Sequence, residues 1–255
     1  MISIRTLIIL TEIPVMAIDE VIILKNDSPL YDEIVSHRLG MLPLKTDLDA
    51  YKLPSECECA GFGCPLCQVS LTCEVDNTSN NPITVFSGDL KSNDPVIVPV
   101  SPEIPILKID RNNSVIIEAY AKLGIAKEHV KWQAVSNVFF RNYPTIDFDD
   151  SKCEGCPDKC IVSRLCPKKL YDFSTKKIPK LEKNYWKTCD LCNACENNCP
   201  QKAVKLGKIE DKYIFLIESD GVLPFKTIFK MVFEIFNDKI NEFEEKLEEV
   251  EIQEL

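Results

Sequence analysis

The sequence is poor in histidine and glycine, and these scarcities exclude several kinds of catalytic site. Its 255 residues contain two histidines, at positions 37 and 129, and eight glycines. Two histidines so differently placed suggest no Ser-His-Asp or Cys-His arrangement for nucleophilic catalysis. The glycines form no G-x-G-x-x-G motif, so we expect no flavin or nicotinamide site of that type.

Negative charge outweighs positive charge, and long apolar runs are scarce. The formal net charge is −10, which argues against a surface that binds nucleic acid by releasing counterions. No stretch approaches the roughly 20 apolar residues of a membrane span. Residues 1–10 are mostly apolar, but Thr11, Glu12 and Pro14 follow at once, so we expect no signal peptide. These features predict an acidic, soluble protein of the cytoplasm.

Cysteine, in contrast, is abundant, with 13 residues in the chain. Disulfide frameworks of this density belong mostly to much shorter secreted chains. Here the cysteines are grouped in C-x2-C units, which indicates metal ligation in a reducing compartment. The largest group lies in residues 153–200, and a smaller one lies in residues 57–67.

The second half of the larger group carries the spacing C-x2-C-x2-C-x3-C-P of bacterial-type ferredoxins, formed by Cys189, Cys192, Cys195, Cys199 and Pro200. The first half is a looser copy with longer second and third spacings, formed by Cys153, Cys156, Cys160, Cys166 and Pro167. In two-cluster ferredoxins the fourth cysteine of such a run ligates the other cluster.

This pattern predicts two [4Fe–4S] clusters. The first would be held by Cys153, Cys156, Cys160 and Cys199. The second would be held by Cys166, Cys189, Cys192 and Cys195. Two alternatives remain open: either cluster in a three-iron [3Fe–4S] form, or a pair of zinc knuckles, because C-x2-C is also a zinc spacing. Tyr185 and Trp186, just before the second run, are expected to shield a cluster from water.

The smaller group lies in a glycine-rich loop and consists of Cys57, Cys59, Cys64 and Cys67. Four thiolates so close in the chain could form a tetrahedral zinc site, and four free surface thiols are the alternative. Cys73 differs from them because it lies in a stretch of alternating apolar and polar residues, 69–75. That pattern predicts a strand in which Cys73 is a small core residue.

Hydrophobic periodicity predicts a mixture of helices and strands. We expect a helix or strand over 1–10, and a helix over 30–41 that Gly40 and Pro43 end. Strands are predicted in 15–24, 69–75, 83–86, 96–100, 104–109, 115–121, 139–146 and 213–218.

A long amphipathic helix is predicted after Pro224. Its apolar residues recur mostly at steps of three and four: Ile228, Val232, Ile235, Phe236, Ile240, Phe243, Leu247 and Val250. A stripe of roughly eight turns is longer than a small domain can cover, so it indicates a partner helix. The alternative is a helix that folds back on its own domain.

Residues 32–44 (DEIVSHRLGMLPL), preceded by residues 12–19 (EIPVMAID), resemble the D-type subunits of archaeal RNA polymerase. That family is related to the eukaryotic D-like subunits and to the amino-terminal domain of the bacterial α subunit, and the resemblance covers most of the chain. It implies an α+β fold with a discontinuous dimerisation domain (1–45 and 205–255) that carries the long C-terminal helix. An inserted β-rich domain (46–148) and a ferredoxin-like 4Fe-4S domain (149–204) would complete the fold.

The resemblance also implies a function. The chain would be a non-catalytic scaffold subunit of DNA-directed RNA polymerase, with no active site of its own. It would pair with subunit L, recruit the small zinc subunits N and P, and dock the second-largest catalytic subunit. No direct nucleic-acid contact and no membrane contact are implied. A similar zinc-binding loop occurs in the eukaryotic counterparts, which favours zinc at Cys57, Cys59, Cys64 and Cys67.

Under this interpretation the two histidines are not catalytic. His37 would belong to an assembly surface, and His129 would be a packed or interfacial residue, with a metal-ligand role as the alternative. The competing interpretation, from the cysteine runs alone, is a ferredoxin-type electron-transfer protein.

The chain departs from the family near residue 7. The family normally has an additional strand and then a helix with an Asn-x-x-Arg-Arg pattern, and Leu7 stands where the second arginine belongs. Either the chain has diverged there, or the sequence starts inside a longer reading frame.

Overall fold

The structure, a computed structural model, describes residues 2–149, 151–153, 160–172 and 180–253. The helices of these residues are α1 (Ile2–Thr11), α2 (Asp32–Gly40), α3 (Ile161–Leu165), α4 (Tyr185–Thr188), α5 (Ala194–Asn197) and α6 (Phe225–Gln253). The strands are β1 (Val15–Asn26), β2 (Gln68–Asp76), β3 (Ile83–Phe86), β4 (Lys91–Ser92), β5 (Pro105–Ile109), β6 (Ser114–Gly124), β7 (Val135–Phe148), β8 (Tyr171–Asp172), β9 (Lys180–Leu181) and β10 (Val204–Ser219).

The mixed α/β chain divides into two compact units. The first unit comprises Met1–Val138 and Ile217–Leu255, and the second comprises Phe139–Leu216. The chain enters the second unit within β7 and leaves it within β10. The three-domain division expected from the sequence, with limits at 45, 148 and 204, stays a prediction.

An antiparallel sheet with the order β1-β6-β2-β4 forms the centre of the first unit. Its central strand β6 pairs Ile117 with Cys73 of β2 and with Ile23 of β1. Because side chains alternate across a strand, one face of β6 is buried along its whole length. Val35 and Leu39 of α2 belong to the same hydrophobic core, as do residues of the β3-β5 pair.

A second core in the first unit joins the two ends of the chain. Ile8 and Ile9 of α1 pack in one cluster with Ile228 and Val232 of α6. Trp132 belongs to this cluster, and its indole lies so close to Gly124 that a Cβ there would be 2.4 Å from the ring. Position 124 therefore requires glycine, because the Trp132 ring leaves no room for a side chain there.

The long helix α6 folds back on its own unit only at its start. Its first turns fold back on α1, but every described side chain from 237 to 248 is exposed. The second half of α6 is exposed because α6 is longer than α1. The 29 residues of α6 extend about 43 Å, whereas the 10 residues of α1 extend about 15 Å. Three apolar side chains of the predicted stripe remain exposed on this second half: Ile240, Phe243 and Leu247.

The second unit is built on a pair of strands, β7 and β10, with short helices around its cysteines. Its core contains Val162, Leu170, Tyr171 and Val204, together with several cysteine side chains. Among the described residues of this core, four of the eight buried side chains are cysteines.

Most predicted elements are present, and one is wrong. Residues 1–10 adopt the helical alternative, and the strands predicted in 15–24, 69–75, 83–86, 104–109, 115–121, 139–146 and 213–218 are confirmed. Residues 96–100 form no strand and make only an isolated bridge, between Pro99 and Leu44. Proline lacks the N–H that a strand ladder needs, and prolines at 95, 99 and 102 interrupt this stretch. Among the described helices, none has the length and apolarity needed to cross a membrane.

Candidate metal centres

Four cysteines of the first unit bring their sulfur atoms together. The Sγ atoms of Cys57, Cys59, Cys64 and Cys67 all lie within 4.8 Å of one another. Cys59 Sγ lies 3.5 Å from Cys57 Sγ and 3.4 Å from Cys67 Sγ, and Cys64 Sγ lies 3.7 Å from Cys67 Sγ. Across the described residues this is the one set of three or more histidine, cysteine and acidic side chains with such mutual distances.

The backbone around these sulfurs turns sharply. Ala60, Gly61 and Gly63 have φ angles of 51°, 82° and 91°, a region that glycine adopts most readily. Successive turn hydrogen bonds fold the chain back, from the Ala60 N–H to the Cys57 carbonyl and from the Cys67 N–H to the Cys64 carbonyl. The local sequence therefore places all four thiols on one side of a short loop.

The sulfur distances fit a single tetrahedral metal ion. Zinc–sulfur bonds of about 2.3 Å give a tetrahedron with edges of about 3.8 Å. Four of the six sulfur separations are 3.4–3.7 Å and all are within 4.8 Å, so the set fits a single metal ion such as zinc. In this structure, hydrogen bonding with Cys67 and Cys57 lowers the pKa of Cys59 to about 6, whereas burial raises the pKa of Cys67 to about 12.

Cys73 lies outside this set, as the sequence predicted. Its side chain is buried on the core face of β2, and burial raises the pKa of its thiol to about 11. A thiol of this kind stays protonated at neutral pH and acts as a small apolar residue.

In the second unit, four cysteines line one cavity: Cys166, Cys189, Cys192 and Cys195. They are the set that the ferredoxin spacing assigns to one cluster. Cys166 ends α3, Cys189 ends α4 and Cys195 lies in α5. The chain reverses on both sides of Cys192, because Leu191 and Asn193 have φ angles of 59°.

These four sulfurs do not lie as close together as those of the loop in the first unit. A single ion draws its ligands to the edges of one small tetrahedron, whereas a cluster of several irons and sulfides keeps the cysteine sulfurs farther apart.

The other described cysteines of the two runs do not line that cavity. Cys160 is buried at the start of α3, and Cys153 is half-buried. Cys199 lines a different pocket, whose described lining includes neither Cys153 nor Cys160. Cys156 lies outside the described residues.

Tyr171 faces the cavity lined by the four cysteines and was not singled out by the sequence. Its side chain is buried, and its Oη has no hydrogen-bond partner among the described residues. Burial raises the pKa of the phenol, and the neighbouring sulfurs of Cys195, Cys166 and Cys189 raise the pKa further.

Arg141 of β7 anchors the chain just before the second cysteine run. Its guanidinium donates to the carbonyl of Cys189 at 2.8 Å and to those of Trp186 and Lys187. These are carbonyls of α4 and of its C-terminal end, which lack intrahelical partners. No local signal in the sequence could identify Arg141, because its acceptors lie more than 40 residues away.

The aromatic residues predicted to shield a cluster lie in different surroundings. Tyr185 packs partly buried against the core of the second unit. Trp186 stacks on Tyr143, with ring centroids 5.4 Å apart. The Nζ of Lys212 lies 4.1 Å from the centroid of the Tyr143 ring.

The two histidines are brought to one cavity of the first unit, together with Asp19, Met41 and Lys131. Both are exposed, and the Nδ1 of His129 accepts a hydrogen bond from the Lys131 N–H at 3.1 Å. Asp19 forms ion pairs with Lys122 and Lys131. Sequence reasoning did not predict this convergence, since residues 37 and 129 are far apart in the chain.

Comparison with known proteins identifies relatives across most of the chain. A family model described as the RNA polymerase Rpb3/RpoA insert domain matches residues 17–147. DNA-directed RNA polymerase subunit Rpo3 of Methanosphaera stadtmanae is 37% identical over 240 residues, which cover 91% of this chain and 84% of the relative.

Further relatives of the same description agree. Subunit Rpo3 of Archaeoglobus fulgidus is 36% identical over 94% of this chain and 86% of its own length. That of Pyrobaculum arsenaticum is 38% identical over 94% of this chain and 85% of its own length. These comparisons give no support to the ferredoxin-type electron-transfer alternative. The chain belongs to the archaeal family of DNA-directed RNA polymerase subunit Rpo3.

Proposed function

We propose that this chain is a non-catalytic assembly subunit of the archaeal DNA-directed RNA polymerase. The observation that carries the proposal is the similarity to Rpo3 subunits over more than nine-tenths of the chain. The role is one of pairing and docking, and the reaction itself belongs to other subunits. The chain works in the cytoplasm, where transcription takes place in archaea.

Subunit L is the proposed partner of the discontinuous dimerisation domain, residues 1–45 and 205–255. The support is the exposed apolar stripe on the second half of α6, where Phe243 is 62% and Leu247 is 47% exposed. Covering such an apolar helix face with a second helix is favourable, because it removes apolar surface from water. The pair then recruits subunits N and P.

The second-largest catalytic subunit is the proposed partner of the surface around α2. Tyr31, Ile34 and Met41 expose apolar side chains there, next to the cavity that His37 and His129 line. Exposed apolar residues beside charged ones are typical of protein–protein contact surfaces.

The metal centres are proposed to be structural. Zinc would be held by Cys57, Cys59, Cys64 and Cys67, and a [4Fe–4S] cluster by Cys166, Cys189, Cys192 and Cys195 in the ferredoxin-like domain, residues 149–204. A second cluster, in a four- or three-iron form, would use Cys153, Cys156, Cys160 and Cys199. Since metal binding is coupled to folding in small cysteine-rich domains, each centre would stabilise the chain around it.

The pairing with subunit L is tested by replacing the exposed stripe. We expect Phe243→Asp with Leu247→Asp to weaken binding of subunit L at least about 100-fold, because two apolar anchors are lost. The control is Glu245→Gln, a change of an exposed side chain on the same helix. Binding is measured by titration calorimetry under anaerobic conditions, and unchanged affinity of the double variant would overturn the proposed pairing surface.

A further inference from the structure

Tyr171 is buried beside cysteine sulfurs without a partner for its hydroxyl. Only 7% of the residue is exposed, and the Oη atom is shielded from solvent. Buried hydroxyl groups are hydrogen-bonded in the great majority of native structures, so an exception requires an explanation. Among the described residues no atom meets the full geometry of a hydrogen-bond acceptor, although the Cys195 side chain lies close enough to interact with the hydroxyl.

The residues around Tyr171 indicate which atom could accept a hydrogen bond from its hydroxyl group. The ring lines the same cavity as Cys166, Cys189, Cys192 and Cys195. The aliphatic side chains of Ile146, Leu170 and Leu206 also line this cavity. A water molecule needs two or more polar partners to stay in such a place, and the aliphatic side chains offer none. Lys168 and Asp190 also line the cavity, but four of the lining residues are cysteines, and the Cys195 side chain interacts with the phenol.

We infer that the Tyr171 Oη donates a hydrogen bond to a sulfur atom of an iron–sulfur cluster held by Cys166, Cys189, Cys192 and Cys195, and thereby raises the reduction potential of that cluster. The inference rests on the cluster proposed above and goes beyond it by assigning a role to a residue that is not a ligand. The sulfur accepting the bond is either that of Cys195 or a sulfide of the cluster.

The direction of the effect follows from charge. Reduction adds one electron to the cluster, and the added negative charge is shared with its sulfur atoms. A hydrogen bond to sulfur stabilises the electron-rich reduced form more than the oxidised form. Removing the donor therefore lowers the reduction potential and leaves the ligands in place.

The test compares Tyr171→Phe with the unchanged chain, both prepared anaerobically as the full chain paired with subunit L. Phenylalanine keeps the ring and its packing and removes only the hydroxyl. Tyr185→Phe is the matched control, because Tyr185 packs against the same core from a partly exposed position. Iron and sulfide per chain are counted first, and the midpoint potential is then measured by dye-mediated titration with detection of the reduced cluster by electron paramagnetic resonance.

In Tyr171→Phe we expect the equilibrium constant for one-electron reduction to fall about tenfold, or about 59 mV, with iron content unchanged. The control is expected to retain the original potential. Replacement of Tyr171 by 3,5-difluorotyrosine, a stronger donor of the same shape, is expected to raise the potential. This second replacement gives a readout even if the phenylalanine variant fails to assemble.

The outcomes separate the inference from the proposed cluster. Unchanged potentials in both replacements of Tyr171, with iron still bound, overturn the inference and leave the cluster standing. If the unchanged chain holds no iron and sulfide, or if Cys192→Ser leaves their content the same, the proposed cluster fails and the inference fails with it.

Discussion

At the scale of single residues, Asp19 illustrates how a partly buried charge is stabilised. Burial raises the pKa of Asp19, but hydrogen bonds and charge from Lys122 and Lys131 outweigh burial, so the pKa lies below its ordinary value. A carboxylate with a lowered pKa contributes stability above its unfolded-state pKa. That contribution is lost as the pH falls through the lower pKa of the folded state.

We therefore predict that Asp19→Asn lowers the free energy of unfolding by roughly 2 kcal/mol at pH 7, since charged hydrogen bonds are lost. The difference from the unchanged chain should shrink below about pH 4, where the carboxylate becomes protonated. Urea denaturation followed over this pH range measures both effects.

Asp238→Asn is the control for this prediction, because Asp238 is an exposed carboxylate on α6. Its effect should stay within about 0.5 kcal/mol. A difference for Asp19→Asn that is constant from pH 7 to pH 3 would contradict the electrostatic explanation.

The cysteines of the first unit allow a second test at the residue scale. Cys59→Ser should reduce bound zinc from one ion per chain to none, because serine is a poor zinc ligand at neutral pH. Cys73→Ala removes a cysteine from the core and should leave the zinc content unchanged, at a cost of about 1 kcal/mol in stability.

Zinc content of the two variants is measured by elemental analysis of metal-loaded protein. Loss of zinc from Cys73→Ala, or full zinc content in Cys59→Ser, would show that the assignment of ligands is wrong. The pair is well matched because both changes remove one thiol from the same unit.

At the scale of elements, Arg141 holds the short helix α4 to the strand β7. One guanidinium satisfies three carbonyls, which a lysine ammonium on a flexible stem cannot do in the same geometry. Helices of four residues have no stability of their own, so their position depends on such contacts.

We predict that Arg141→Lys increases hydrogen exchange of the amides in 185–192 at least about tenfold, corresponding to about 1.4 kcal/mol of local stability. Exchange is followed by mass spectrometry on the metal-loaded chain. The same change at an exposed arginine of the second unit, Arg164→Lys, should leave that segment unaffected. Equal protection in both variants would mean that α4 is positioned by packing alone.

At the scale of the whole molecule, the two units depend on different interactions. The first unit has two cores of large aliphatic side chains, whereas the core of the second unit is made largely of cysteines and a few apolar residues. A core of this kind buries little apolar area, and metal ligation would supply much of its folding free energy.

The prediction at this scale is that Cys192→Ser abolishes exchange protection in 160–206 and spares the first unit. Cys192 is the exposed member of its set, so its replacement removes a ligand without opening a buried cavity. Hydrogen exchange of both units in one experiment measures the contrast, with Cys73→Ala as the control.

If protection in 160–206 persists without iron, metal ligation does not hold the second unit together. If protection is lost in both units, the first unit depends on the second more than its own cores suggest.

The sequence alone determined the features that depend on residues close together in the chain, namely several strands, the helix α6 and the loop of four cysteines. Strands β2 and β6 follow from alternating apolar residues, β1 follows from an apolar, β-branched stretch, and α6 follows from an apolar stripe, because these patterns report the neighbours of each residue within one element. The four thiols at 57–67 are brought together by a glycine-containing loop in which ligands and turns are adjacent in the chain. The strand predicted at 96–100 is wrong for a local reason as well, since proline has no N–H group to donate to a strand ladder.

Tertiary structure alone decided which distant residues meet. Arg141 reaches the end of α4, Tyr171 turns its hydroxyl toward cysteines from two separate runs, and His37 shares a cavity with His129. It also decided that α6 covers the core of its own unit with its first turns and leaves Phe243 and Leu247 exposed beyond it. The physical reason is that side-chain chemistry and periodicity are local properties, whereas burial and hydrogen-bond partners depend on how the whole chain packs.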